Sequence, residues 1–174
     1  MNGETKEPAP VAAPAEQPTK TAAKPKARRG ARVAPTTRTD CKGDAPRKHT
    51  INVVSDVHAR LAGLQLAQTL AAGREVPLWP HLDAALAVLR TTDADELRAW
   101  GDRAEVYADI RGDDYRQVGT RLRGTVLAAV RTLRVRLRAA GVEGVDVQAV
   151  LSAAVSAYLD ALVAQGDLVE VEQE

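Results

Sequence analysis

The chain has 174 residues, 45% of them hydrophobic and 3% aromatic, with no Phe. Ala, Val and Leu supply nearly all the apolar side chains, which suits a thin core between helices better than a large β-sandwich. One cysteine, Cys41, excludes an internal disulfide framework, and the formal net charge of +1 conceals an uneven distribution.

Residues 1–48 carry 11 Lys/Arg against 5 Asp/Glu, leaving 13 against 18 of the totals of 24 and 23 for the rest. Seven of the nine prolines fall in residues 1–47, and no hydrophobic period appears there. Such a segment buries too little apolar surface to offset its ordering entropy, so a disordered tail is expected. Lys24, Lys26, Arg28, Arg29, Arg32 and Arg47 make its distal part a candidate for lying along a phosphate backbone. The start has no apolar leader and no run approaches 18 apolar residues, from which a cytoplasmic protein without a membrane span is expected.

At Lys48–Ser55 apolar and polar residues alternate at Ile51 and Val53, and at Val57 the spacing becomes Val57, Leu61, Leu64. A period of two passing into a period of 3.6 is a strand feeding a helix. The helix is expected over about 56–72, with Asp56 as N-cap, Gly73 as its stop, Val57, Leu61, Leu64 and Ala67 on one face, and Leu66 and Leu70 widening it. A second helix over 77–89 buries Leu78, Leu82, Ala85, Leu86 and Leu89, with Pro77 and Pro80 in its first turn. The acidic start Thr92–Glu96 opens a third helix, reaching to about Arg111 and carrying Leu97, Trp100, Ala104, Tyr107 and Ile110 on one side.

The opening pattern then recurs. Arg116–Leu122 alternates, and helical spacing resumes at Val126, Val130 and Leu133. Leu122, Val126, Val130 and Leu133 repeat the steps of Val53, Val57, Leu61 and Leu64 at a constant offset, 122 − 53 = 69. Val147 matches Val76 at 147 − 76 = 71, which predicts a second turn two residues longer. A last helix carries Val150, Ala153, Ala154, Ala157, Tyr158 and Leu162. The chain thus divides into a tail (1–47), a strand–helix–helix unit (48–90), a linker helix (91–114), a second such unit (115–166) and an acidic end (167–174).

Thr50–Val54 with Val57/Leu61/Leu64, Gly73–Val76 and Leu82/Ala85/Leu86, repeated as Arg121–Arg123 with Val126/Val130/Leu133 and Gly144–Val147, resemble the ribbon-helix-helix family of Arc- and MetJ-like DNA-binding proteins. The resemblance implies a mainly α fold with a short two-stranded antiparallel β-ribbon, as a tandem ribbon-helix-helix: a pseudo-dimer in one chain with a linker helix. It also implies that the ribbon enters the major groove of double-stranded DNA. Val54 stands where the family often has a polar reader, and Gly119 removes a side chain. Pro77 removes an amide and Asp146 adds a carboxylate where the family usually grips a phosphate with backbone N–H groups.

If Ile51 and Val53 face the helices, Lys48, Thr50, Asn52 and Val54 face out, as do Gln117, Gly119, Arg121 and Arg123. Lys48, Thr50, Asn52, Val54, Gln117, Arg121 and Arg123 are therefore the candidate base readers: Arg suits guanine, Asn and Gln suit adenine, and Thr or Val methyls suit the thymine methyl. A transcriptional regulator or a plasmid partition or DNA-transfer accessory factor follows, acting as a monomer with an internal pseudo-twofold or as a homodimer, with a protein partner in a nucleoprotein complex. The competing expectation is a helical interaction module, adaptor or antitoxin-like, whose basic tail is non-specific. His49, His58 and His81 lack metal-ligand spacing, and no nucleophile set or phosphate loop stands out, so neither an enzyme nor a metal or other cofactor is expected.

Overall fold

The computed structural model describes residues 44–110 and 112–166. Two strands far apart in sequence, β1 (Arg47–Val54) and β2 (Tyr115–Leu122), pair antiparallel as a two-stranded sheet. Helix α1 (Ser55–Ala72) follows β1 directly, and α2 (Trp79–Ala87) runs on into a 3₁₀ turn, Val88–Arg90. Helix α3 (Ala94–Ala104) bridges to β2, after which come α4 (Gly124–Ala139) and α5 (Val147–Ala164). The protein is mostly helical with one short antiparallel ribbon.

The second helix of each half covers the strand of the other: α5 packs on β1, and α2 on β2. Two hydrogen bonds tie this exchange down. The Val54 amide donates to Ser152 Oγ at 3.0 Å, and the Arg123 amide donates to Asp83 Oδ1 at 2.8 Å. Both amides sit at a strand-to-helix junction, where the first N–H groups of a helix have no intrahelical acceptor. The separations match: 123 − 54 = 69 and 152 − 83 = 69. In the ribbon Thr50 lies opposite Gly119, again 119 − 50 = 69. The same separation thus recurs in the ribbon register and in both junction hydrogen bonds.

The offset of 71 expected at the second turn does not hold through the second helices. Helix α4 ends at Ala139, two residues short of the counterpart of Ala72, and the longer loop after it restores the separation to 69. Gly73 caps α1 at φ 65° and Gly141 follows α4 at φ 81°, conformations that cost a side-chain-bearing residue energy.

The core joins Ile51, Val53, Val57, Leu61 and Leu64 from the first half to Val118, Leu122, Val126, Val130 and Leu133 from the second. Helix α5 lies centrally, against β1, α1, α2 and α3. By length and composition alone it is apolar enough to cross a membrane; here Ala149–Val155 and Leu159 are buried inside the protein.

Several local expectations are revised. The buried stripe of α1 is Val57, Leu61, Leu64 and Gln68, a steady three-four spacing; Ala67 is exposed, and Leu66 and Leu70 are 60% and 74% exposed. Asp56 lies inside the first turn of α1, and the cap position is Val54. Leu78 and Pro77 precede α2, which starts at Trp79. Helix α3 opens at the Asp93 N-cap, whose Oδ1 accepts from the Asp95 amide at 2.8 Å, and it gives way to a 3₁₀ turn after Ala104. Close approach of α3 to the loop after α4 depends on Gly101, where an added Cβ would meet Val142 Cγ1 at 2.7 Å.

Candidate nucleic-acid interface

Register and alternation bring six of the residues on the ribbon together as three facing pairs: Lys48 with Arg121, Thr50 with Gly119, and Asn52 with Gln117. All are exposed except Asn52, which is half-buried. Their side chains make no hydrogen bond or ion pair among the described residues. Lys48 and Arg121 are like charges directly opposite each other, an arrangement that weakens a ribbon. Gly119 sits at the middle of the crest, and an added Cβ there would meet nothing within 4 Å. Packing therefore does not demand a glycine at this position. From Lys48 to Asn52 the crest spans about 14 Å at roughly 3.4 Å per residue, comparable with a major groove about 12 Å wide.

Beside this crest lies an open groove of about 720 Å³, bounded by Lys48, His49, Arg121, His58, Gln65 and Trp79 among others. Thr120 also lines it, although the residue is buried and its Oγ1 has no hydrogen-bond partner among the described residues. His49, beside it in the ribbon, is held below the ordinary histidine range by burial first and by the Arg131 guanidinium second.

Two expected readers, Val54 and Arg123, and one expected tail contact, Arg47, sit elsewhere. Val54 is 3% exposed: the strand turns into helix there, its amide is taken by Ser152, and alternation ends with Val53 and Val54 both inside. Arg123 lies beyond the end of β2, and its Nε donates to Asp83 Oδ2 at 2.6 Å. That carboxylate is fully buried and the arginine side chain 21% exposed, so Arg123 is bound into the fold. Arg47 is the first residue of β1, opposite Leu122, and not part of a tail. Lys24, Lys26, Arg28, Arg29 and Arg32 lie outside the described residues, as does the tail's expected disorder.

The end of the N-terminal segment is nevertheless engaged. Asp44 accepts from the Thr125 amide at 2.8 Å and from Thr125 Oγ1 at 2.9 Å, and these bonds hold its carboxyl below the usual range. A carboxylate here also suits the positive end of the α4 dipole.

A buried polar chain joins α1 and α2 of the first half to α5 of the second. The His81 ring lies 2.9 Å from Gln68 Oε1 through Nε2 and 2.9 Å from the Tyr158 hydroxyl through Nδ1. With the amide in that orientation, Nε2–H donates to Gln68 and Nδ1 accepts from Tyr158. Burial pushes the His81 pKa down to about 4, so the ring is neutral at pH 7. Among the described residues, no group of three His, Cys, Asp or Glu side chains is placed to hold a metal ion.

Reading the sequence for function missed Asp83, Ser152 and Gln68. Each carried a signal, being a polar residue on an apolar stripe; Asp83 and Ser152 are also 69 residues apart. No protein-family model, curated protein or solved structure matches the chain.

Proposed function

We propose that this chain is a sequence-specific double-stranded DNA-binding protein, a tandem ribbon-helix-helix that closes its reading ribbon within one molecule. It would act as a transcriptional regulator or as a partition or DNA-transfer accessory factor. The observation that carries the reading is the crest: Lys48/Arg121, Thr50/Gly119 and Asn52/Gln117, exposed apart from the half-buried Asn52, without hydrogen-bond or ion-pair partners among the described residues, and centred on residues 69 apart. Arg121 offers a bidentate fork for guanine, while Asn52 and Gln117 offer amides for adenine. The bare centre at Gly119 lets the bases approach the backbone.

Because the two strands differ, the site is not a palindrome: equivalents such as Asn52 and Arg121 ask for different bases. Selection from randomised duplexes, followed by gel shifts on selected and random DNA at two salt concentrations, tests this. The expected core is asymmetric, and Arg121→Ala weakens specific binding by about 1–3 kcal/mol and relaxes one position. Equal relaxation at two symmetric positions argues for a homodimer ribbon. Binding without sequence preference leaves only electrostatics.

The exposed Leu66 and Leu70 on α1 favour a second reading, a helical interaction module that meets a protein partner, alone or on DNA.

A further inference from the structure

The two first helices present opposite surfaces. Helix α4 carries Arg131, Arg134, Arg136 and Arg138 and no acidic residue. Arg136 turns inward, donating to the carbonyls of Thr91 and Ala129. Arg131, Arg134 and Arg138 are exposed and make no hydrogen bond or ion pair among the described residues. Spacings of three and four place them on one face. At the matching positions, 69 residues earlier, α1 has Ala62, Gln65 and Thr69, none of them charged.

The ridge adjoins the ribbon at one end. Helix α4 begins two residues after β2 ends, and at the matching positions of α1 Ala62 and Gln65 line the groove beside the crest; in keeping with this, His49 of β1 is held below the ordinary range by burial first and by Arg131 second. At the other end Arg134 and Arg138 line a groove of about 620 Å³ with Glu143, Gly144 and Asp146, at the start of α5. The two carboxylates there form no ion pair with either arginine within 4.0 Å among the described residues. Asp146 is committed to capping α5, accepting from the Gln148 amide at 3.2 Å. Three unpaired like charges on one face disfavour the helix that holds them, and among the described residues no carboxylate pairs with them.

We infer that the Arg131–Arg134–Arg138 face of α4 grips the phosphates of one DNA strand beside the ribbon, on that flank only. The inference rests on the DNA-binding reading and adds a one-sided backbone contact to it. Seven residues of helix advance about 10 Å at 1.5 Å per residue, and B-DNA offers a phosphate about every 3.4 Å of axis on each strand. Each of its three arginines can meet one phosphate, at most about three contacts in all. Side chains would do on this flank what helix N-terminal amides cannot, since Asp146 puts a carboxylate at that end of α5.

The test is the salt dependence of binding to the selected duplex by the full chain and by the triple variant Arg131→Gln/Arg134→Gln/Arg138→Gln. Each lost phosphate contact lowers the log–log slope by about 0.9, so three lower it by about 2.7. Between 50 and 200 mM salt the variant then loses about 40-fold less affinity than the parent. Base preference stays the same, and hydroxyl-radical protection retreats on one side of the core site. The triple lysine variant, which keeps the charge, retains the parental slope. A glutamine variant whose slope changes by less than one contact, with the parent still sequence-specific, overturns the ridge and leaves the DNA reading standing. Failure of the parent to bind duplex DNA overturns both. Should the glutamine variant unfold, Ala62→Arg/Gln65→Arg supplies the mirror test. Added charge on α1 steepens the slope if flanks beside the ribbon face phosphates, and an unchanged slope counts against the ridge.

Discussion

Asp83 on α2 and Ser152 on α5 hold matching places in the two halves, and each accepts from the amide at the strand-to-helix junction of the other half. The serine closes its bond over an apolar neighbour, Val54. The aspartate brings a full charge inside, and that charge is answered by Arg123. The geometry of the junction is thus shared, while its chemistry is local to each half. Removing one partner of a buried ion pair strands the other. Asp83→Ala is expected to cost about 3 kcal/mol, the lower end of that range because Arg123 keeps some contact with water. The double change Asp83→Ser/Arg123→Val copies the other half and should recover most of the loss. Urea unfolding measures both; if the double variant is no better than Asp83→Ala, the two junctions are not interchangeable.

His81 and Val150 make a second matched pair, 69 residues apart, 1% and 0% exposed. Only the first half places a titratable ring there. Folding keeps His81 neutral down to about pH 4, whereas the unfolded chain takes up that proton near 6.5. Its contribution is therefore whole above pH 6.5, declines as the pH falls, and stops declining near 4. The loss over that interval is about 3 kcal/mol by linkage. Carboxylates such as Asp44, held below their usual range, also lose stability in acid. The informative quantity is thus the difference between the parent and His81→Leu. The variant's stability should fall less steeply between pH 6.5 and 4, whatever its level at pH 7, and parallel curves would remove His81 as a source of acid sensitivity.

Ser152→Ala is the milder counterpart of the first change. It leaves the Val54 amide buried and unpaired, for about 1–2 kcal/mol. That such a contrast exists was only half legible in the sequence. The antiparallel pairing follows from the family resemblance, whereas the alternation at Ile51 and Val53, the switch to helical spacing at Val57 and the recurrence from Arg116 mark both strands and the helices that follow them. Those features are local, and hydrophobic period determines them. The base-reading set was legible at Lys48, Thr50, Asn52, Gln117 and Arg121, where alternation holds. It failed at Val54 and Arg123, where the strand ends and the direction of the side chain depends on contacts 98 and 40 residues away. Arg47 was assigned to the tail because charge and proline content outweighed a single residue of strand. A helix rich in Ala and Leu looks apolar on every side, so the pattern extends the buried face of α1 to Ala67, Leu66 and Leu70, and only packing shows which face is covered.

That apolar side of α1 marks the sharpest surface contrast with α4. Leu66 and Val135 are matched, 60% and 70% exposed, yet Val135 is surrounded by arginines and Leu66 by Ala62, Ala67 and Leu70. If α1's face lies outside the core, Leu66→Lys and Leu70→Lys each change stability by less than about 0.5 kcal/mol, since Lys and Leu have similar helix propensities. A loss above 1 kcal/mol in urea would mean that these leucines are covered, either by the rest of this chain or by another copy. Dependence of the unfolding midpoint on protein concentration separates those two, because only association makes stability depend on concentration. An unchanged midpoint, by contrast, leaves an uncharged flank opposite a cationic one, the asymmetry that a one-sided grip on DNA requires.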